Sequence, residues 1–158
     1  MHNVLFVCTG NTCRSPMAAA IFNKMVKDRG ISGVRASSAG THAERGMGPT
    51  PQAIAAARNR GLDIRRHRSR PLTHTLAADA DLVLTMTGRH WYDATEFAPR
   101  GKVAKLTAVG RDGDEGDDIL DPFGGPVALY ESVADQLESE IARAMPDILQ
   151  ALSEPSGE

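Results

Sequence analysis

Residues 3 to 8, NVLFVC, form a short apolar run that breaks at a Gly-containing polar loop, 9-TGNTC-13, before the chain resumes as an amphipathic stretch led by Pro, 16-PMAAAIFNKMVKDR-29. A run of that length, hydrophobic on both alternations, suits a strand covered on both faces, the environment of a parallel sheet between helices. The same texture returns at 34-VRASSAG-40, 81-DLVLTM-86 and, more weakly, 103-VAKLT-107. Helical patterns lie between these runs. Pro16 suits a first helical turn, Met17, Ala20, Ile21, Met25 and Val26 make one apolar stripe, and Gly30 supplies a stop. Further helices are expected at 51 to 61, 72 to 79 and 88 to 97. A last one, at 126 to 152, spaces Leu129, Val133, Leu137, Ile141, Met145, Ile148 and Leu152 three or four residues apart. Strands alternating with helices predict the α/β class: a doubly wound, four-stranded parallel sheet with helices on both faces.

At 158 residues, with no internal repeat and no linker rich in Pro, Gly or Ser, the chain reads as one domain over residues 1–152, with 153-SEPSGE-158 as a frayed tail. Charged residues make up 24% and sum to a formal charge of -2, so general attraction to nucleic acid is not predicted and any anion must be recognised locally. No apolar run exceeds six residues, against roughly 20 for a membrane span. Two cysteines do not make a secreted disulfide framework, and the first residues lack the basic and apolar regions of a signal peptide. A cytoplasmic monomer without nucleic-acid or membrane partners is the expectation.

In an open parallel sheet, ligands bind where strands end and loops lead into helix N-termini. The stretch 8-CTGNTCRS-15 occupies the first such junction. Gly10 and the short side chains of Thr9, Asn11, Thr12 and Cys13 allow a tight wrap whose amides converge on one centre, reinforced by the positive end of the helix that follows. Such a phosphate-binding loop holds a tetrahedral oxyanion. Cys8 at its floor is the candidate nucleophile, its thiolate favoured by the amide dipoles and by Arg14. The planar fork of Arg14 fits two phosphoryl oxygens, and Ser15 can steady the sulfur both as attacking thiolate and as leaving group. These residue types at this spacing predict covalent phosphoryl transfer through a phosphocysteine. The bland alternative is a small buried cysteine that merely ends a strand.

The chemistry also needs an acid for the leaving group and a base for the water that attacks phosphocysteine, and one carboxyl group can do both in turn. Asp121, in 118-DILDPFGGP-126, is the candidate: Pro122 stiffens the turn and two glycines let the loop approach the anion nest. The acidic run 112–121 fails as a calcium loop, because the fifth and sixth positions from Asp112 are Gly116 and Asp117. The five histidines are scattered and both cysteines lie in the nest itself, so no zinc spacing appears, and no Walker or dinucleotide-binding glycine motif occurs. Hydrolysis without a cofactor or metal is expected.

The pattern Cys-x5-Arg-Ser after an N-terminal strand, followed in order by 37-SSAGT-41, 67-HRSR-70, 81-DLVLTMT-87 and 121-DPFGG-125, resembles the low-molecular-weight protein-tyrosine phosphatase family along most of the chain. The resemblance implies a phosphorylated protein or peptide as substrate. It also implies that His67 hydrogen-bonds Asn11, which with Ser38 keeps the loop in a strained shape. Thr12 becomes informative as well. Tyrosine-directed members usually carry an aliphatic residue there and a Trp in the loop after Ser-Ala-Gly-Thr, whereas here that loop, 42-HAERGMGPTPQA-53, has no aromatic residue. Thr12, 15-SPMA-18 and 121-DPFGG-125 together are closer to the bacterial protein arginine phosphatases of the same fold. A threonine hydroxyl can partner a guanidinium or its water, while a flat aryl ring would leave it unsatisfied, a selectivity of about 1–3 kcal/mol. Phe123 would then offer its face to the guanidinium product.

Hydrolysis of protein phosphoarginine is the leading expectation, with phosphotyrosine the alternative. A thioredoxin-coupled arsenate reductase of this fold would need two further cysteines down the chain, and none follows Cys13. A phosphoanion-binding module without turnover would have no use for Asp121. Cys13 has two readings: a disulfide partner of Cys8 under peroxide, or a small residue packed behind the loop.

Overall fold

A computed structural model describes residues 1–111 and 116–154. Four strands, β1 (His2–Cys8), β2 (Val34–Gly40), β3 (Leu82–Thr85) and β4 (Val103–Lys105), pair side by side in the order β2-β1-β3-β4, every pair parallel. Among the described residues five α-helices accompany them: α1 (Arg14–Asp28), α2 (Pro51–Arg58), α3 (His74–Asp79), α4 (Gly88–Ala94) and α5 (Val127–Ser153). The α/β class and the four-stranded parallel sheet agree with the sequence reading.

The central strand shows why both alternations of 4-VLFVC-8 are apolar. Val4, Phe6 and Cys8 pack into a core shared with α1, α2 and α5, while Leu5 and Val7 pack into a second core with Ala77 of α3 and Ala94 of α4. A strand covered on both faces cannot carry a polar alternation without burying unpaired groups. On α5, Val133, Leu137, Ile141, Met145, Ile148 and Leu152 are buried as the three- and four-residue spacing predicts, but the stripe starts at Tyr130, with Leu129 only partly covered.

Helix ends follow local chemistry. Thr50, Thr73 and Thr87 each accept a hydrogen bond from the amide three residues on, at 3.1–3.2 Å, capping α2, α3 and α4. Gly30, at φ 67°, ends α1 with the Ile31 amide bonded back to Val26. The expected elements at 72 to 79, 88 to 97 and 103 to 107 are shorter than predicted. Thr73 delays α3 to His74, α4 stops at Ala94, and Leu106–Ala108 leaves β4 as a 3-10 turn. The tail expected to fray from 153 starts later, since Ser153 is still helical; residues 155–158, and 112–115 of the acidic run, lie outside the described residues. No helix among the described residues is long and apolar enough to cross a membrane.

Candidate active site

The loop after β1 is shaped by where its carbonyls go. The Cys8 carbonyl accepts from the Thr41 amide at 2.9 Å, that of Thr9 from His42 at 3.0 Å, and that of Thr12 from Thr50 at 3.1 Å. The Asn11 carbonyl accepts from His67 Nε2 at 2.7 Å. In a trans peptide the N–H points opposite to the C=O, so tying these four carbonyls outward turns the amides of Thr9, Gly10, Thr12 and Cys13 toward one centre. Inward amides of this kind suit a tetrahedral anion, and outside clamps shape the loop as much as its own residues do.

Asn11 is the keystone. At φ 58° it is the one non-glycine residue with a positive φ among the described residues, a region that Asn tolerates better than most side chains. The strain is held by three bonds. Nδ2 donates to Ser15 Oγ at 2.7 Å, Oδ1 accepts from the Arg70 amide at 3.0 Å, and the carbonyl takes the His67 bond. The expected His67–Asn11 contact is therefore present. Ser38 reaches the loop one step removed, through its carbonyl, which accepts from Arg70 Nε at 2.9 Å.

A cavity of about 230 Å³ opens above this nest, lined by Cys8, Thr9, Gly10, Thr12, Cys13, Arg14, Asp121 and Phe123. All eight are residues singled out in the sequence; Asn11 and Ser15 stand behind them, fully buried. Cys8 Sγ lies 2.9 Å from Ser15 Oγ. Arg14, 4% exposed, donates from Nη1 to the Ile119 carbonyl at 3.0 Å, and its Nη2 is 3.6 Å from the Asp121 carboxylate. Phe123 stands exposed at the mouth, its amide bonded to Asp121 Oδ1 at 3.1 Å. Cys13 Sγ is 3.5 Å from the buried Tyr130 hydroxyl and 3.8 Å from Thr50 Oγ1, and both cysteines are free thiols.

The electrostatics differ from the sequence expectation in one respect. Burial pushes the Cys8 thiol up; the Ser15 hydroxyl and amide, the Arg14 charge and the Asn11 amide all pull it down, but burial is the larger effect. Counting dipoles along the loop omits the desolvation that the two-sided sheet imposes. Ser15 is the strongest of the opposing groups, so Ser15→Ala should raise the pH midpoint for alkylation of Cys8 by iodoacetamide. An unchanged or lower midpoint contradicts that assignment.

Three supports had no signal in the loop motif. Gly40 ends β2 against the nest, where an added Cβ would lie 2.3 Å from the Thr9 carbonyl oxygen. Lys105 Nζ donates to the Gly116 carbonyl at 2.9 Å and to Asp118 Oδ1 at 3.1 Å, and Asp118 Oδ1 also accepts from the Gly88 amide, so the segment carrying Asp121 is tied to β4 and α4. Tyr130 backs Cys13 from the first turn of α5, its hydroxyl pushed up to about 12, chiefly by burial. Gly40 sits in 37-SSAGT-41 and was legible as a motif, though not as a contact.

The family described as low molecular weight phosphotyrosine protein phosphatase matches residues 3–154. The chain is 42% identical over 138 residues to the protein-arginine-phosphatase of Bacillus subtilis, covering 86% of this chain and 89% of that protein. It is 35% identical to the low molecular weight protein-tyrosine-phosphatase of Streptomyces coelicolor, over 87% of this chain and 88% of the other. Its fold superimposes with a TM-score of 0.83, at 39% identity and over 94% and 95% of the two chains, on the YwlE arginine phosphatase in a cysteine-to-serine form with a phosphorylated active-site serine.

Proposed function

The chain belongs to the low molecular weight phosphotyrosine protein phosphatase family, and from that premise we propose that it hydrolyses phosphoarginine in proteins through a phosphocysteine formed on Cys8. The class of reaction, phosphoprotein hydrolysis, comes with the family. The substrate reading rests on one observation. The cavity wall is made by Cys8, Thr9, Gly10, Thr12, Cys13 and Arg14 and by Asp121 and Phe123, with a hydroxyl at Thr12 and nothing from the loop after Gly40. An aryl ring entering there meets one exposed aromatic and, at Thr12, a hydroxyl that it cannot hydrogen-bond. A guanidine meets a hydroxyl it can hydrogen-bond and a ring face that suits its cationic product.

The steps follow from positions. Arg14 and the inward amides hold the phosphoryl oxygens; the Cys8 thiol, held up by burial, gives its proton to water, and the resulting thiolate attacks phosphorus opposite the P–N bond. As that bond breaks, the Asp121 carboxyl gives its proton to the departing nitrogen. Water then enters, Asp121 takes its proton, oxygen attacks phosphorus, and the S–P bond breaks to return the thiolate, which Ser15 Oγ stabilises at 2.9 Å. Asn11, His67 and Arg70 keep the nest in shape and touch no reacting atom.

Comparing kcat/KM for phosphoarginine and phosphotyrosine peptides tests the substrate. The parent is expected to favour phosphoarginine, and Thr12→Ile to shift the ratio toward phosphotyrosine by about tenfold or more. A parent that favours phosphotyrosine, with the ratio unmoved by the substitution, overturns the reading and leaves the tyrosine phosphatase in its place.

A further inference from the structure

We propose that His90 is a positioning residue for the reaction: it donates from Nε2 to the Thr9 hydroxyl and so turns the proton of that hydroxyl into the cavity, as a fixed donor to the bound phosphoryl group. His90 sits in the first turn of α4, 4% exposed, with its Nε2 2.7 Å from Thr9 Oγ1. Its Nδ1 is the one buried side-chain nitrogen or oxygen without a hydrogen-bond partner among the described residues. Thr9 in turn lines the cavity.

The orphaned nitrogen decides the tautomer. A neutral imidazole has one hydrogen to place. Placed on Nδ1, it would be a buried N–H with no acceptor, a rare and costly arrangement; placed on Nε2, it leaves at Nδ1 only a bare lone pair, which proteins tolerate more readily. Nε2 therefore donates and Thr9 Oγ1 accepts. With a lone pair so engaged, the hydroxyl keeps its own O–H for another acceptor, and no other protein group among the described residues bonds to Thr9 Oγ1. Thr9 is exposed and lines the cavity, where a phosphoryl oxygen would be the acceptor. The ring stays neutral at physiological pH: burial and then the Arg14 charge push its pKa down to about 4, against the opposing pull of Asp93, Asp118 and Asp121. A second cation beside the buried Arg14 is thereby avoided, and the donor pattern does not change between pH 6 and 8.

The inference rests on the phosphatase reading of the cavity and is independent of whether arginine or tyrosine carries the phosphoryl group. The probe is inorganic phosphate, read as a competitive inhibitor with either peptide. Thr9→Val and His90→Phe are each expected to weaken phosphate inhibition by roughly tenfold and to lower kcat/KM by the same factor, because the bond exists in ground and transition states alike. The double variant should lose no more than either single one. His90→Gln, whose amide reaches as far as Nε2, should recover most of the loss. On the parent protein, ¹⁵N spectra of the imidazole at pH 7 are expected to show a protonated Nε2 and an unprotonated Nδ1. A protonated Nδ1, or phosphate inhibition unchanged in Thr9→Val, overturns the proposal, even where His90→Phe only lowers the melting temperature. Failure of the parent to turn over phosphoarginine would sink the substrate reading and leave this one standing.

Discussion

Cys8→Ser is expected to lower kcat by roughly 10⁴-fold or more on any phosphorylated substrate while leaving the fold and the anion nest in place. The substitution is nearly isosteric at a site only 3% exposed, and serine can take up the bond to Ser15 that the sulfur makes at 2.9 Å. What it removes is chemistry. The Ser15 bonds, the Arg14 charge and the Asn11 amide offset part of the burial that raises the Cys8 thiol; the same forces fall many pKa units short of ionising an alkyl hydroxyl. Serine is also the poorer leaving group, so phosphate that does transfer stays on the protein. The variant should bind inorganic phosphate within a few fold of the parent, release none from substrate at a measurable steady state, and slowly acquire one phosphoryl group at residue 8, seen by mass spectrometry. Turnover within tenfold of the parent would remove Cys8 from the mechanism.

The parts of this site that the sequence reveals are those whose chemistry is local. Cys8, Arg14 and Ser15 are separated by a few residues on a loop whose strand and helix flanks are themselves periodic, so their convergence follows from chain geometry. Asp121 is far away in sequence, but a proton donor is chemically required and Asp-Pro-Phe-Gly-Gly is a turn that can deliver one. The His67–Asn11 bond was of another kind: 65-RRHRSR-70 alone reads as an exposed basic loop, and only the family resemblance pointed to the contact. Resemblance also gave Ser38 a share with Asn11 in holding the loop, and the structure links the two through Arg70.

What stayed illegible depends on three-dimensional packing. Gly40 looks like any small strand-ending residue until the Thr9 carbonyl is found against it. The Lys105–Asp118 pair joins β4 to the segment before Asp121, and no spacing rule links the two residues. Tyr130 and His90 are buried polar side chains whose partners, Cys13 and Thr9, belong to the nest. The thiol's ionisation is the clearest case. Dipoles and charges can be counted along a sequence, whereas desolvation needs the two cores that enclose β1, and it outweighs them.

Asp121→Asn is expected to cost about 10²–10⁴ in kcat on phosphoarginine peptides, and much less in the first chemical step on p-nitrophenyl phosphate. The amide keeps an oxygen for the Phe123 N–H, which Asp121 Oδ1 accepts at 3.1 Å, so the turn should hold its shape. The lost attraction to Arg14 at 3.6 Å involves a carboxylate more than half exposed, so stability should change by no more than about 1 kcal/mol. The proton is the real loss. A guanidine cannot leave phosphorus as an anion at neutral pH, whereas p-nitrophenolate leaves without help. With p-nitrophenyl phosphate the variant should therefore show a burst of p-nitrophenol equal to the enzyme present, followed by slow turnover, because the missing base delays water's attack on phosphocysteine. With phosphoarginine no burst is expected, since the first step is itself blocked. Equal losses on both substrates with no burst would mean that Asp121 only shapes the cavity, and that the proton comes from another group.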